Sequence, residues 1–333
     1  MPQRLAIVTT LRNAAPVLDS FIRYHRAVGF DHLFLFFDDP DDPALHTAQC
    51  YAGVTAIPND ERLHRRWKSS TLYETRFAAS EVMARQGLNF EVALHLAQEQ
   101  GIDWLLHIDH DELFFAPHQS VRAHFAALTV RNVQGISYAN YEAVPEQIDL
   151  DDFFKEVTLF KWANQARDPR PVWTEQQQAL LTTIPQIPPK YFHFYTNGKS
   201  AARVQPGLRP NGVHKFTLPH GRLALAGPGD PLILHYPCCG FEAFWNKFVT
   251  LEHVYADGVE TWWGQDITQH VSPFYLDARD VVRRRDRQRA RAFYQARYVI
   301  ADPAQVEALI EHDVCRRILA PARLLSDPVD DAM

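Results

Sequence analysis

Cysteine is scarce. The 333 residues contain four, Cys50, Cys238, Cys239 and Cys315. None forms a C-x-x-C pair, which excludes a disulfide framework and argues against structural zinc. This usage suits a reducing compartment. No apolar run approaches the ~20 residues a membrane helix needs. The opening lacks a secretory pattern: after Arg4 only Leu5 to Val8 are apolar, and Thr9, Thr10, Arg12 and Asn13 follow at once. A cytoplasmic protein is expected. Basic residues are not in excess, since 34 Lys and Arg face 40 Asp and Glu for a formal net charge of −6. No nucleic-acid partner is expected on that balance. Internal repeats and low-complexity tracts are missing too. Core material is plentiful, with 46% hydrophobic and 12% aromatic residues. That excludes a largely disordered chain and, at this length, suits one large α/β domain or two smaller ones.

Residues 5–8 read as a buried strand. Asn13 is placed to cap a helix carrying Leu18, Phe21, Ile22 and His25, stopped by Gly29. His32 to Phe37 reads as a second strand, ending in the acidic turn Asp38-Asp39-Pro40. Val54 to Ile57 reads as a third. Strand, helix, strand at these spacings predicts a βαβ unit and a parallel sheet. Thr71 to Glu74 matches a capping box opening a helix toward Arg85, and Asn89 is placed to cap another. Trp104 to Ile108 reads as the fourth strand, running into Asp109-His110-Asp111-Glu112. Beyond residue 130, Gln134 to Tyr141, Tyr191 to Tyr195 and Leu232 to His235 read as strands. Arg167 to Pro189 reads as a long loop and Ala278 to Tyr298 as one surface helix.

Asp109 and Asp111 carry the strongest chemical signal. Strand alternation would aim both to one side and turn His110 away. The position, at the carboxyl end of a central strand, is where open α/β sheets bind ligands. Two carboxylates there repel unless a cation joins them, and Mg²⁺ or Mn²⁺ takes such oxygens together with ligand phosphates. A solvated acidic turn is the plainer account. Asp38 and Asp39 also end a buried strand, where they suit a ribose or base contact as well as they suit turn chemistry. Lys199 and Arg203 follow the turn Asn197-Gly198 and are spaced to meet one anion, although the pattern is not a P-loop. His214 and His235 read as core histidines when taken singly. Trp262 and Trp263, beside Gly264 and Asp266, suit a sugar site, whereas Phe241, Phe244, Trp245 and Phe248 read as core on a helix. Seven Arg lie between Arg279 and Arg291. They describe a solvated helix or one that meets an anionic membrane or a phosphate-bearing acceptor.

Several stretches resemble the family 2-like and family 92-like glycosyltransferases. They are Leu11-Arg-Asn13, Tyr24-His25, Gly29-Phe-Asp31, Phe37-Asp-Asp-Pro, Arg85-Gln86-x-x-Asn89, and Asp103-Trp-Leu-Leu-His-Ile-Asp-His-Asp-Glu-Leu113. Gly198-Lys-Ser, Arg203-Val204, Val213-His214 and Leu234-His-Tyr236 with Phe244 and Lys247 are similar to later motifs of the same families. One departure is Ala14, where those families often carry Glu. The resemblance implies a GT-A-like α/β fold: a Rossmann-like nucleotide-binding half over 1–130, an acceptor half over 131–275 and a helical tail over 276–333. It implies a nucleoside-diphosphate sugar donor near Thr10, Arg12, Asp38 and Asp39. It also implies Mn²⁺ or Mg²⁺ on Asp109 and Asp111, with His235 or His214 completing the shell, and Lys199 and Arg203 on the diphosphate.

The expected activity is metal-dependent transfer of a sugar to a hydroxyl on a glycan or lipid-linked acceptor, held near Trp262 and Trp263. Asp266 is the expected base, because metal-bound carboxylates accept protons poorly. The expected location is cytoplasmic, with peripheral contact at the inner membrane face through residues 279–291. The rival readings are a metal-dependent phosphohydrolase or nucleotidyltransferase, and a non-catalytic nucleotide- or glycan-binding protein.

Overall fold

The apolar run after Arg4 forms β1 (Leu5–Leu11), and all seven of its residues are buried. A strand apolar on both faces suits a parallel sheet covered by helices on each side. The computed structural model describes residues 3–70, 72–163, 172–251 and 272–326. It places β1 between β2 (His32–Phe37) and β4 (Trp104–His107), parallel to both, with β3 (Val54–Pro58) beside β2. Beyond β4 lie the antiparallel β9 (Lys199–Arg203), then β6 (Gly135–Tyr138) and the short β12 (Ala224–Leu225). The order is β12-β6-β9-β4-β1-β2-β3. The chain therefore adopts the expected α/β architecture with a central, mainly parallel sheet. Three of these strands come from beyond residue 130.

A second sheet has the order β14-β8-β7-β13-β5. Its strands are β5 (Glu112–Phe115), β7 (Asn140–Ala143), β8 (Leu159–Lys161), β13 (Leu232–His235) and β14 (Cys315–Arg317). β10 (Arg209–Asn211) and β11 (Lys215–Thr217) pair separately. The chain crosses from the first sheet to the second through Asp109-His110-Asp111, between β4 and β5, and again through Ala139, between β6 and β7.

Leu5 and Ile7 share a core with Phe21 and Ile22 of the helix Leu18–Val28 and with Phe125 of the helix Val121–Val130. Ala6 and Val8 share another with Leu88, Val92 and Ala93 of the helix Val82–Glu99. Burying each large apolar side chain contributes roughly 1.5–3 kcal/mol. His25 ties the layers together: its Nδ1–H donates to Phe21 O (2.8 Å), and its Nε2 accepts the Phe114 N–H (3.2 Å). The helices Pro273–Arg283 and Arg287–Tyr298 pack on the helix Phe241–Leu251. There Tyr294 Oη donates to Cys238 O (3.0 Å) and accepts the Gly240 N–H (2.9 Å).

Several local expectations change. Asn13 does not cap the first helix: its φ is 56° and its N–H donates to Asp42 Oδ2 at 3.0 Å. Asn89 lies inside the helix Val82–Glu99, where its amide bridges Trp67 and Thr10 instead of capping a helix. Residues 191–195 form no strand, because the Glu142 carboxylate takes the His193 and Phe194 N–H groups that a ladder would use. A helix, Glu175–Thr183, occupies part of the expected loop. The single helix expected over 278–298 is two, broken where Arg285 takes φ 56° and Asp286 caps the second. Thr71 lies outside the described residues.

Candidate active site

Three strand ends and one helix build the first side of the site. β1 ends at Thr10 and Leu11, β2 leads into Asp38, and β4 leads into Asp109. Facing them, the helix Val82–Glu99 presents Arg85, Gln86 and Asn89, which its periodicity brings toward one side. Arg85 Nη2 donates to Asp38 Oδ2 at 2.9 Å while Nε donates to Oδ1. Gln86 Nε2 donates to Asp109 Oδ1 at 2.9 Å, and Asn89 Nδ2 to Thr10 Oγ1 at 2.9 Å. Thr10, Arg12, Asp38, Gln86, Asp109 and Asp111 all line one cavity of about 350 Å³.

Each aspartate of the turn is paired with a lysine. Lys199 Nζ donates to Asp109 Oδ2 at 2.6 Å and to Val213 O at 3.2 Å, and lies 3.6 Å from Glu112 Oε2. Lys247 Nζ donates to Asp111 Oδ2 at 3.1 Å. Burial disfavours ionisation of Asp109, but the Lys199 ammonium outweighs it and holds the carboxyl below its usual range. Burial and Lys247 act on Asp111 in the same opposed way, with the same net direction. Glu112 has no exposure; burial raises its carboxyl well above the ordinary range, more than Lys199 lowers it.

Lys199 reaches Asp109 because Gly198 takes φ +61° and passes against β6: a Cβ there would fall 1.8 Å from Tyr138 O. No other residue fits that approach. Arg203 does not share the anion site. Across the β4–β9 ladder Ser200 pairs with His107 while Arg203 pairs with Trp104, so Lys199 and Arg203 stand at opposite ends of β9. Residues four apart on a strand are about 13 Å apart.

His235 Nε2 lies 3.8 Å from Asp111 Oδ2, and its ring stacks on Tyr195 at 4.5 Å. Burial pushes its pKa down to about 4, so the ring is neutral at pH 7 with a lone pair to offer. Its Nδ1 is buried without a partner. His214 Nδ1–H donates to Gly198 O at 3.0 Å, and its ring meets Tyr195 edge-on. Among the described residues no three His, Cys, Asp or Glu side chains form a ready-made metal cage. Asp111 with His235 nevertheless fits part of the shell of a hard divalent ion, which commonly takes one or two protein ligands and completes its coordination with phosphate and water.

The other expected site residues fall as follows in the fold. Asp109 to Asp111 form a turn, not strand, so alternation does not apply and His110 also lines the cavity. The Asp38 side chain is 2% exposed and both its oxygens bind Arg85, with Arg12 Nη1 at 3.6 Å. Asp39 is half-buried, 4.0 Å from Arg12 Nη2. Phe241, Phe244 and Phe248 are core. Trp262, Trp263 and Asp266 lie outside the described residues. Arg287 pairs with Glu242 and Arg291 with Asp149. Nothing in the sequence marks Tyr195 for the site, and Gln86 and Lys247 lie in family-like stretches that give them no role; the fold places all three there.

No family model matches the chain. Two Arabidopsis thaliana proteins named glycosyltransferase-like are each 28% identical to it over 228 and 225 residues, with 64% of this chain covered in both cases and 49% and 43% of theirs. The chain spans about half the length of these curated relatives or slightly less. Among solved structures, Aspergillus fumigatus core-mannan synthase A in its Mn/GDP form is 10% identical, with 61% of this chain and 60% of that chain covered and a TM-score of 0.28. CMP:2-keto-3-deoxy-manno-octonic acid synthetase complexed with CTP is 14% identical, with 43% and 54% covered and a TM-score of 0.25. At such scores neither structure bears on the argument.

Proposed function

We propose that the protein is a GT-A-like hexosyltransferase that moves a sugar from a nucleoside diphosphate to a hydroxyl on a glycan or lipid-linked acceptor. One observation carries this reading. Asp109 and Asp111 share a turn at the carboxyl end of a central parallel strand, on a cavity bounded by the ends of β1 and β2. Open α/β sheets bind nucleotides at that edge. Thr10, Arg12 and Asp39 would hold the nucleoside, with Asp38 fixing Arg85. Asp111 and His235 would hold Mn²⁺ or Mg²⁺, His214 being the alternative to His235. Bound there, the ion supplies charge stabilisation to the departing diphosphate. Lys199 keeps Asp109 ionised and, through Gln86 on its other oxygen, fixed in direction.

The base must be a carboxylate free to take a proton. Cations hold Asp38, Asp109, Asp111 and Glu242. Asp266 is the proposed base, with Trp262 and Trp263 packing on the acceptor sugar. Among the described residues no helix is long and apolar enough to cross a membrane. Peripheral contact with an anionic membrane face is assigned to the exposed Arg283, Arg284 and Arg289.

The test is calorimetry with a panel of nucleoside diphosphates, with and without Mn²⁺, on the wild type and Asp111→Asn. Mn²⁺-dependent binding of one nucleotide is expected, falling at least tenfold in the variant while the circular dichroism stays the same. No nucleotide binding by the wild type would sink the reading. Nucleotide-sugar breakdown that needs no acceptor and releases phosphate would favour the phosphohydrolase.

A further inference from the structure

The two lysines at the aspartate pair are not equivalent. The Lys199 side chain has no exposure and is held by three oxygens, those of Asp109, Val213 and Glu112. The Lys247 side chain is 29% exposed, and among the described residues its one oxygen partner is Asp111. Below it lies the face of Phe194, 5.2 Å from Nζ to the ring centre. Its helix is split lengthwise: Phe241, Phe244 and Phe248 enter the aromatic core, while Ala243, Asn246, Lys247 and Thr250 line the cavity. The backbone is thereby fixed, and the ammonium stands at the end of a flexible four-carbon stem beside open volume.

The same carboxylate that Lys247 holds is the one beside His235. A divalent ion on Asp111 and His235 would meet the ammonium at close range, and two cations on one carboxylate repel. Neutralisation of Asp109 is permanent, because Lys199 has nowhere else to go. Neutralisation of Asp111 is open to trade. We propose that Lys247 is an exchangeable counter-ion. It occupies Asp111 in the empty site, yields it to a divalent cation, and then pairs with the diphosphate that accompanies the cation. Asp111, not Asp109, is thus the primary metal carboxylate, and the site keeps its charge balanced in both states. The proposal rests on the reading above only for the identity of the anion as part of a sugar nucleotide.

Two affinities that should move in opposite directions test it. Mn²⁺ binding to the nucleotide-free protein is measured by electron paramagnetic resonance, and inorganic pyrophosphate binding at saturating Mn²⁺ by calorimetry. Both are run on the full chain as wild type, Lys247→Met and Lys247→Arg. Met keeps the stem over Phe194 and removes the charge. It should tighten Mn²⁺ about tenfold, because the competitor is gone, and weaken pyrophosphate about tenfold or more. Arg should return both toward wild type. A purely structural lysine would weaken both ligands together, and that result overturns the proposal. So does unchanged Mn²⁺ affinity in Lys247→Met, or a wild type that binds no Mn²⁺. Opposed shifts in a protein that binds no nucleoside diphosphate would uphold the exchange and sink the glycosyl-transfer reading instead.

Discussion

Lys199 Nζ lies 2.6 Å from Asp109 Oδ2, across 90 positions of sequence, and the lysine side chain has no exposure. The pair joins the antiparallel strand β9 to the turn that leads from the first sheet into the second. It holds one aspartate of the turn below the usual carboxylate range, against the upward push of burial. The neighbouring Glu112, which also faces Lys199, is instead pushed above the ordinary carboxylate range by its burial.

Removing one partner of such a pair is costly, because the other keeps its charge without compensation. Lys199→Met should lower stability by about 3 kcal/mol or more, read as a shift of the urea midpoint at unchanged slope. Asp109→Asn in the same background should recover part of the loss, since it removes the stranded charge. A Lys199→Met protein as stable as wild type would show that Asp109 finds its compensation elsewhere.

Acid should destabilise the protein through its buried histidines. Burial pushes His25 and His107 down to about 3, so both are neutral when folded and take up protons near their ordinary pKa when unfolded. A folded pKa below the unfolded one means that the unfolded state binds more protons between about 6.5 and 3. Stability is then fully present above about pH 6.5 and falls by about 1.4 kcal/mol per pH unit for each such histidine. In His25→Gln the slope between pH 6 and 5 should drop by one proton's worth. An unaltered slope would mean that His25 does not titrate on unfolding.

Turnover should depend on the carboxylate proposed as the base. Asp266→Asn should lower it about 10²–10⁴-fold with donor affinity kept, as removal of a general base does. Asp151 is the control. It lines the cavity, is exposed, and no cation among the described residues is paired with it. A loss of that size in Asp151→Asn, with Asp266→Asn near wild type, would transfer the role to Asp151.

What the chain's own pattern determined is the parallel core and the place of the acidic turn. β1, β2 and β4 are legible because strands buried on both faces must be apolar throughout, and such a run cannot be mistaken for a surface element. Asp109 and Asp111 are legible for the same reason: charge directly after such a run marks the edge of the sheet. Their orientation is not legible, because alternation holds only within a strand and the chain turns after His107. Asn89 reads as a cap from its residue type, yet the apolar periodicity carries the helix through it and leaves its amide for Thr10. The counter-ions were decided by tertiary structure alone. Lys199 and Arg203 look equivalent in sequence, and only the antiparallel insertion of β9 sends one to Asp109 and the other to the far end of the sheet. Lys247 reaches Asp111 across 136 positions through the docking of one helix on an aromatic core. Local sequence encodes local periodicity; which charges meet depends on how distant elements pack, and no spacing along the chain records that.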